Sequence, residues 1–588
     1  IFSLLVALTI TPYLAFRLLR VVEKDKKVKK AFVLENSPVY KIYLKIMEPM
    51  LGAAWKRWTF IGAIFVLLLA STTLVYFKWV AVKMLPFDNK NEFQVIIDMP
   101  EGTTLERTAV VTKELAAYIA RQQEVVNYQT YVGTASPMNF NGLVRHYDIR
   151  RGSNVADIQV NLTDKTERKT QSHEIAKTMR PGIQALAKIL NANVKVVEVP
   201  PGPPVLSTLV AEIYGPDYDK QIEIARQVKK QFAQTDDVVD IDWQVEASQP
   251  EYKFNVMKEK AALLGFSTQQ VINTIAMALH GQEVTQLYAE KEHEQVGITL
   301  RFPEKDRSSL EDLKQINIMS PTGQKTTIGD IVEVKTTVRD KNIYRKNQKR
   351  VVYVTADIAG KLESPVYAIL NMSDKLENIK LPKGYALSEE FTKQPFIQDN
   401  YSLKWDGEWQ ITYEVFRDLG VAFAVALLVI YLLIIGWFQN FTVPLVMMIA
   451  IPLSLIGILI GHWIMGAFFT ATSMIGLIAL AGIMVRNSIL LIDFINLRLK
   501  EGSPLKEAVI EAGAVRTIPI LLTAGTVVIG AVVILFDPLF QGLAISLMGG
   551  TIASTFLTLL IVPLIYYMTE KKKHPEPQKK EDETSPDL

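Results

Sequence analysis

Cysteine is absent from this 588-residue sequence, and charged residues are scarce. Without cysteine the chain can form no disulfide bond, no thiolate-bound metal site and no cysteine nucleophile. Charged residues make up 21% of the chain, whereas about a quarter is usual in a soluble protein. The net charge is only +3, so no strong positive field favours a nucleic acid as a partner.

Familiar enzyme motifs are also missing. The sequence has no phosphate-binding pattern of the P-loop type and no zinc-binding HExxH pattern. The run Glu292-His293-Glu294 has metal-binding residue types, but on a strand the histidine would point away from both glutamates. We therefore expect no ATP-driven enzyme, no cofactor and no metal site.

Long apolar runs, in contrast, are abundant. A helix that crosses about 30 Å of hydrocarbon needs about 20 apolar residues. Residues 1–16 look like the end of such a helix, truncated at its start, so we expect the chain to be part of a longer protein. Complete transmembrane helices are predicted at 58–78, 419–437, 442–464, 473–497, 518–536 and 543–567.

The distribution of lysine and arginine predicts the orientation of these helices. The segment 17–57, the loop 498–516 and the tail 568–588 are all basic and fall on one side of the membrane by alternation. Basic segments mark the cytoplasmic side. We expect 17–57 to be a cytoplasmic linker and 568–588 to be a disordered tail. The segment 79–418 must then lie outside the cytoplasm.

The external segment is too long for a loop without structure. It alternates strand and helix patterns, and the plan of its first part recurs further along the chain. We predict tandem βαβ-type modules, the first over 79–204 and the second over 205–281 and 341–418. A strand-rich subdomain at 282–340 interrupts the second module, and such insertions often carry an interaction surface.

The predicted fold class is therefore a membrane α-helical bundle of about six helices plus an external α+β domain. Five of these helices form a bundle over 419–567. The external domain consists of the two modules and the inserted subdomain.

The helix 473–497 carries charged residues where a membrane helix usually has none. Arg486 lies near its midpoint, where an arginine costs about 2.5–3.5 kcal/mol on insertion scales, so it must face a partner, a wet cavity or another helix. Asn487 is adjacent to Arg486. Asp493 lies two turns further along the helix on nearly the same face, where it either joins Arg486 in a charge network or reaches water at the cytoplasmic end. In the following helix Thr523 is placed to face this network, unless it bonds its own backbone.

Five short motifs in the chain match a pattern known from one superfamily of membrane proteins. They are Met84-Leu85-Pro86, Met99-Pro100-Glu101-Gly102-Thr103-Thr104, Gly482-Ile483-Met484-Val485-Arg486-Asn487-Ser488-Ile489-Leu490, Arg516-Thr517-Ile518-Pro519-Ile520-Leu521-Leu522-Thr523 and Gly542-Leu543-Ala544-Ile545-Ser546. The chain resembles the second half of the inner-membrane pumps of the resistance-nodulation-division superfamily. The resemblance covers nearly the whole chain.

The resemblance implies a proton-driven exporter in the bacterial inner membrane. It implies small amphiphilic or toxic compounds as substrates, taken from the periplasm or the membrane. It also implies a homotrimer that works with a periplasmic adaptor and an outer-membrane channel. The tandem modules would be ferredoxin-like porter modules, and 282–340 would belong to the docking subdomain.

The resemblance also assigns roles to residues in the membrane. Arg486 matches the basic position of the family's proton relay, which is commonly lysine, and Thr523 matches the threonine of that relay. The acidic pair of the relay lies in the first half of these pumps, which this chain lacks. Arginine cannot plausibly release its proton, so Arg486 would act as a fixed or swinging counter-ion.

The substrate is less defined by the sequence. Pumps for hydrophobic compounds often place an aromatic cluster after the first porter strand, and here Tyr128, Tyr131 and Phe140 are the nearest rings. Met138 adds an apolar side chain, although all four residues can equally serve packing. Three other functions remain open: heavy-metal export, a SecD/SecF-like role in protein export, and a membrane receptor without transport.

Overall fold

The computed structural model describes residues 2–18, 35, 37–290, 292–376, 379–381, 384–571 and 573–574. Six helices in this part of the chain are long and apolar enough to cross a membrane, and they coincide with the six predicted runs. Of the predicted tail 568–588, residues up to 570 continue the last helix, and 575–588 lie outside the described part. The bounds of the six are Ala54–Tyr76, Glu408–Phe438, Thr442–Met465, Ala471–Lys500, Leu505–Val532 and Gln541–Glu570.

Part of the segment 17–57, which the sequence predicted to be a linker, forms a helix that packs against the membrane bundle. The first four helices are α1 (Phe2–Leu8), α2 (Ile10–Leu18), α3 (Pro38–Gly52) and α4 (Ala54–Tyr76). In α3, Tyr43, Met47 and Leu51 recur every four residues and are buried in the core of the membrane bundle. The lysines between them obscured this apolar stripe, and residues 19–34 of the predicted linker lie outside the described part.

The first external unit is a four-stranded antiparallel sheet packed against helices. Its elements are β1 (Glu92–Asp98), α5 (Leu105–Ile119), β2 (Val125–Thr134), α6 (Phe140–Arg145), β3 (Arg151–Leu162), α7 (Ser172–Ile189) and β4 (Asn193–Val197). The strand order is β2-β3-β1-β4. Alternate residues of β1, Phe93, Val95 and Ile97, form a buried core with Val111 and Leu115 of α5, as the period of two in a strand requires.

The second external unit begins in the same way and is then interrupted. It starts with β5 (Leu209–Tyr214), α8 (Tyr218–Ala233) and β6 (Val238–Trp243). The inserted unit follows, and its first and last strands pair along their whole length. Its elements are β7 (Pro250–Val256), α9 (Lys258–Leu263), α10 (Thr268–His280), β8 (Gln282–Leu287), β9 (Val296–Leu300), α11 (Leu310–Lys314), β10 (Asn317–Met319), β11 (Lys325–Thr327), α12 (Ile328–Ile331) and β12 (Val332–Val338).

The inserted unit is longer than the predicted 282–340. Phe266, Val271 and Ile328 share one buried cluster, so α10 packs in the inserted unit and not on the second sheet. The amphipathic pattern of α10 would fit either unit, and only the packing decides between them.

The second sheet is completed after the insertion. The further elements are β13 (Arg345–Lys346), β14 (Lys349–Arg350), β15 (Val352–Ile358), α13 (Pro365–Leu376), β16 (Ser388–Glu390) and β17 (Ser402–Gly407). The strand order is β16-β17-β5-β15-β6, so β15 lies between the two strands that precede the insertion. Trp405 of β17 stacks on Phe232 of α8 in the core, with ring centroids 6.1 Å apart.

The remaining helices form the membrane bundle. They are α14 (Glu408–Phe438), α15 (Thr442–Met448), α16 (Ala450–Met465), α17 (Ala471–Lys500), α18 (Leu505–Val532) and α19 (Gln541–Glu570). No linker separates the second sheet from the membrane, because β17 ends at Gly407 and α14 begins at Glu408. α16 and α19 touch at small residues, where a Cβ on Gly457 would lie 2.1 Å from the carbonyl oxygen of Gly549.

Candidate functional site

One face of α17 is uncovered within the described part of the chain. Its exposed residues recur every three or four positions, which places them on a single stripe of the helix. The opposite face is buried against the rest of the bundle. The stripe consists of Ile475, Ala479, Gly482, Arg486, Leu490, Asp493 and Leu497.

Arg486 lies in the middle of this exposed stripe. It forms no ion pair with any residue that the structure describes, and Asp493 lies two turns further along the same stripe without contacting it. An arginine at the middle of a membrane helix is too costly to leave facing lipid. Arg486 must therefore face a polar partner, a wet cavity or another helix, whereas Asp493 lies nearer the cytoplasmic end of α17.

Asn487 follows Arg486 on α17, and Thr523 lies on α18. Asn487 is buried at 4% exposure, and its Oδ1 has no hydrogen-bond partner among the described residues. Thr523 is half-buried, and its hydroxyl donates to the carbonyl of Ile520 at 2.9 Å. In the structure, Thr523 therefore bonds the backbone of its own helix.

A large cleft separates the two external units. Its volume is about 1840 Å³, and both units contribute charged residues to its walls. The first unit supplies Asp98, Arg145, Arg150 and Lys195, and the second supplies Asp240, Asp242, Asp357 and Asp406. The walls therefore carry both signs of charge.

Within the described part of the chain, every ion pair between the two units has the same arrangement of charges. The cations belong to the first unit and the carboxylates to the second. The pairs include Arg145–Asp357 at 2.8 Å and Lys177–Glu363 at 2.6 Å, together with Arg180–Asp240, Lys195–Asp242 and His173–Glu363. Burial alone would raise the pKa of Asp357, but the charge of Arg145 holds that pKa well below its usual range.

A histidine forms the centre of one of these contacts. The Nδ1 atom of His173 lies 2.8 Å from Glu198, its Nε2 lies 3.1 Å from Glu363, and its ring stacks on Phe87. Burial opposes the charged ring, yet the hydrogen bond with Glu198 and the charge of Glu363 raise the pKa of His173 to about 9. His173 is therefore a cation that joins the two units at neutral pH.

The same place is the candidate metal centre among the described residues. Ligand atoms of His173, Glu174 and Glu363 lie within 4.8 Å of one another. A divalent cation would have to displace the proton of His173 and the ammonium group of Lys177 from Glu363. The arrangement therefore acts as an ion-pair hub. Sequence analysis missed it because Lys177 and Glu363 are 186 positions apart and neither belongs to a motif.

The four residues predicted to contact substrate lie away from the cleft. Tyr128 and Tyr131 are on β2, an edge strand, and the Tyr131 hydroxyl donates to Gln129. Met138 and Phe140 are exposed on the connection after β2. The described lining of the cleft includes none of these four.

Comparison with known proteins gives the family. The profile of the AcrB/AcrD/AcrF family matches residues 1–570. The swarming motility protein SwrC of Bacillus subtilis is 24% identical, over 99% of this chain and 52% of that protein. The cobalt-zinc-cadmium resistance protein CzcA of Cupriavidus metallidurans is 26% identical, over 63% of this chain and 34% of that protein.

A solved structure agrees in fold. The crystal structure of a heavy metal efflux pump superposes with a TM-score of 0.74 at 20% identity, over 91% of this chain and 52% of that one. The chain thus spans between about a third and a half of the length of these relatives. The match over residues 1–570 shows that the chain belongs to the AcrB/AcrD/AcrF family of resistance-nodulation-division permeases, which are multi-pass inner-membrane proteins with a large periplasmic domain.

Proposed function

We propose that this chain is the second half of a proton-driven exporter of small amphiphilic or toxic compounds. The observation that carries the proposal is the uncovered stripe of α17, which holds Arg486 and Asp493 at membrane depth. A membrane helix of a receptor or scaffold has no need for such charges, whereas a transporter uses them as a coupling site. The family match sets aside the SecD/SecF-like alternative.

The coupling step follows from the chemistry of arginine. A carboxylate from a membrane segment outside this chain would lie beside Arg486 and stay ionised there. Proton uptake by that carboxylate removes its charge and releases Arg486, which itself keeps its proton. Each charge that crosses 100 mV contributes about 2.3 kcal/mol, enough to bias a packed bundle between two arrangements.

The fold supports a direct path from the membrane to the cleft. Because α14 continues from β17 without a linker, a tilt of α14 would move the second external unit as a body. The ion pairs between the units would then break and re-form as the cleft opens and closes. We infer that substrates pass through this cleft, and that the two sheet units are the porter modules of the pump.

The dimensions of the cleft favour organic substrates. Its volume of about 1840 Å³ exceeds the roughly 300–1,000 Å³ of a typical drug-sized site. Heavy-metal cations are the second candidate, because CzcA is named for metal resistance and the similar crystal structure is titled as a heavy metal efflux pump. Against metals stands the ion-pair hub, where Lys177 already occupies the carboxylate of Glu363.

The inserted unit supports an assembly with other proteins. Its hairpin β8–β9 exposes Val284, Leu287, Tyr288, Ile298 and Leu300, which is unusual for a surface that faces only water. A homotrimer with a periplasmic adaptor and an outer-membrane channel, as the family resemblance implies, would cover such surfaces.

The test is a substitution at Arg486 in the full-length pump, reconstituted in vesicles with an imposed pH gradient. We expect Arg486→Ala to reduce transport to the level measured without a gradient, since the relay then lacks its cation. Arg486→Lys should retain transport, because lysine supplies the same charge. Lys500→Ala, at the cytoplasmic end of the same helix, is the matched control and should transport normally.

The same vesicles distinguish the substrates. Proton-coupled movement of ethidium but not of Zn²⁺ is expected for an exporter of amphiphiles, and the reverse would favour the metal candidate. Full proton-dependent transport of either substrate by Arg486→Ala, at normal expression, would show that the coupling role of Arg486 is wrong.

A further inference from the structure

Polar side chains without partners are concentrated at one place inside the membrane bundle. Many helical threonines of the described chain donate to a carbonyl three or four positions earlier, as Thr412 does to Glu408 and Thr517 to Gly513. Three threonines of α19 do not, and their hydroxyls have no partner among the described residues. These are Thr551, Thr555 and Thr558, each with at most 2% of its surface exposed.

The packing of three helices puts Thr555 at the level of Asn487. Leu491 of α17, Ile520 of α18 and Leu559 of α19 form one buried cluster. The helices α17 and α19 run toward the cytoplasm, and α18 runs away from it. One turn from this cluster, on the side away from the cytoplasm, lie the residues four positions before Leu491 and Leu559 and four positions after Ile520, and these share one depth in the bundle. Those positions are Asn487, Thr555 and Ala524.

Independent contacts support this level. Thr555 lines a groove together with Leu521, Ala524 and Gly525, so it lies against that part of α18. The side chains of α18 at this level, Ala524 and Gly525, are small. We call the group of Asn487, Thr551, Thr555 and Thr558 the polar junction.

Buried polar atoms in a membrane core need hydrogen-bond partners. The Oδ1 atom of Asn487 is buried and accepts from no described group, and a hydroxyl of Thr555 or Thr558 can donate to water and also accept from it. Buried water typically satisfies such atoms with about three hydrogen bonds per molecule. Four unpartnered groups from two helices, beside small residues of a third, are the surroundings that such water requires.

We propose that the polar junction binds water molecules, held by Asn487 and by the hydroxyls of Thr555 and Thr558. This water keeps the side chain of Asn487, the residue that follows Arg486, in place on the buried side of α17. Thr555 and Thr558 are thereby positioning residues for the relay. The inference rests on the proposed function, because it gives the water a role in coupling.

The first test is direct and needs no variant. A density map of the full-length pump in lipid nanodiscs, at a resolution that shows ordered water, should contain water within about 3 Å of Asn487 Oδ1 and Thr555 Oγ1. A dry junction, with the three hydroxyls bonded to their own helix, overturns the proposal.

The second test is functional. The double substitution Thr555→Val and Thr558→Val keeps the side-chain shape and removes both hydroxyls. We expect proton-coupled ethidium transport to fall roughly 10- to 300-fold, the range that corresponds to losing one hydrogen bond at each of the two hydroxyls within a membrane. Thr555→Ser with Thr558→Ser keeps the hydroxyls and should restore the rate. Thr526→Val, at an exposed threonine that bonds its own helix, is the control.

The outcomes separate this inference from the proposed function. If Arg486→Ala abolishes coupling while the double valine variant transports at the wild-type rate, only the inference fails. If Arg486→Ala transports normally, the proposed function itself fails. The unfolding temperature and trimer size of each variant establish that a lower rate does not reflect misfolding, and the serine variant decides the matter if the valine variant does not fold.

Discussion

The ion pair Arg145–Asp357 illustrates how a single contact holds the two external units together. The Arg145 side chain is 3% exposed and that of Asp357 is 12% exposed. Asp357 also accepts hydrogen bonds from Ser207 and Thr208, so its charge has several partners. Removing one member of such a pair leaves an uncompensated charge in a place that water reaches poorly.

We predict that Arg145→Met destabilises the protein by about 3–5 kcal/mol, the usual cost of breaking a buried pair from one side. The measurement is thermal unfolding of the full-length pump in detergent. Arg417→Met serves as the control, because Arg417 and Asp418 form an exposed pair. An equal effect of the two substitutions would mean that the contact between the units does not depend on this pair.

At the scale of the helix, α17 differs between its two faces. One face packs in the bundle through residues such as Leu480, Met484 and Leu491, and the other holds the exposed stripe with Arg486. The packed face allows little movement, since interiors are close-packed. Changes of partner at Arg486 would therefore move α17 together with α16 and α19 as one body.

The close contact between α16 and α19 makes the group of α16, α17 and α19 rigid, and we predict the effect of disturbing this contact. Gly457→Ala should destabilise the bundle by about 1–3 kcal/mol, because the added methyl group has no room beside Gly549 and Ala553. Unfolding temperature in detergent is the measurement. Gly62→Ala is the matched control in α4, where a Cβ would have nothing within 4 Å. Stability unchanged in Gly457→Ala would show that the two helices can separate at no cost.

At the scale of the whole molecule, the contact between the external units depends on pH. The pKa of His173 is raised to about 9, so its stabilising charge is complete below its ordinary pKa of about 6.5 and is lost as pH rises through 9. Burial would raise the pKa of Glu363, but its bond to His173 and the charge of Lys83 lower it to about 2. The contribution of Glu363 is therefore complete above its ordinary pKa and is lost only as pH falls through about 2.

We predict that the protein loses stability as pH rises from about 6.5 to 9, and that His173→Gln removes this part of the pH dependence. Unfolding temperatures of both proteins between pH 5.5 and 9.5 test the prediction. His293→Gln changes an exposed histidine of the inserted unit and should leave the profile as it is. A wild-type profile that stays flat over this range would contradict the assigned role of His173.

The sequence by itself determined the features that depend on local pattern. Runs of apolar residues located six membrane helices, and the period of two or of 3.6 located strands such as β1 and helices such as α8. The single arginine at membrane depth was visible for the same reason, because each of these signals is carried by consecutive residues. The motifs around Arg486 and Thr523 likewise indicated the family before any fold was known.

The tertiary structure alone decided what depends on residues distant in the chain. The partners Arg145 and Asp357 are 212 positions apart, and no local pattern links them. The same holds for α10, which either unit could have accepted until packing placed it in the inserted unit. Which face of α17 is left uncovered, and which hydroxyls of α19 are buried without a partner among the described residues, follow from the packing of several helices at once, since burial is a property of all the surfaces that meet.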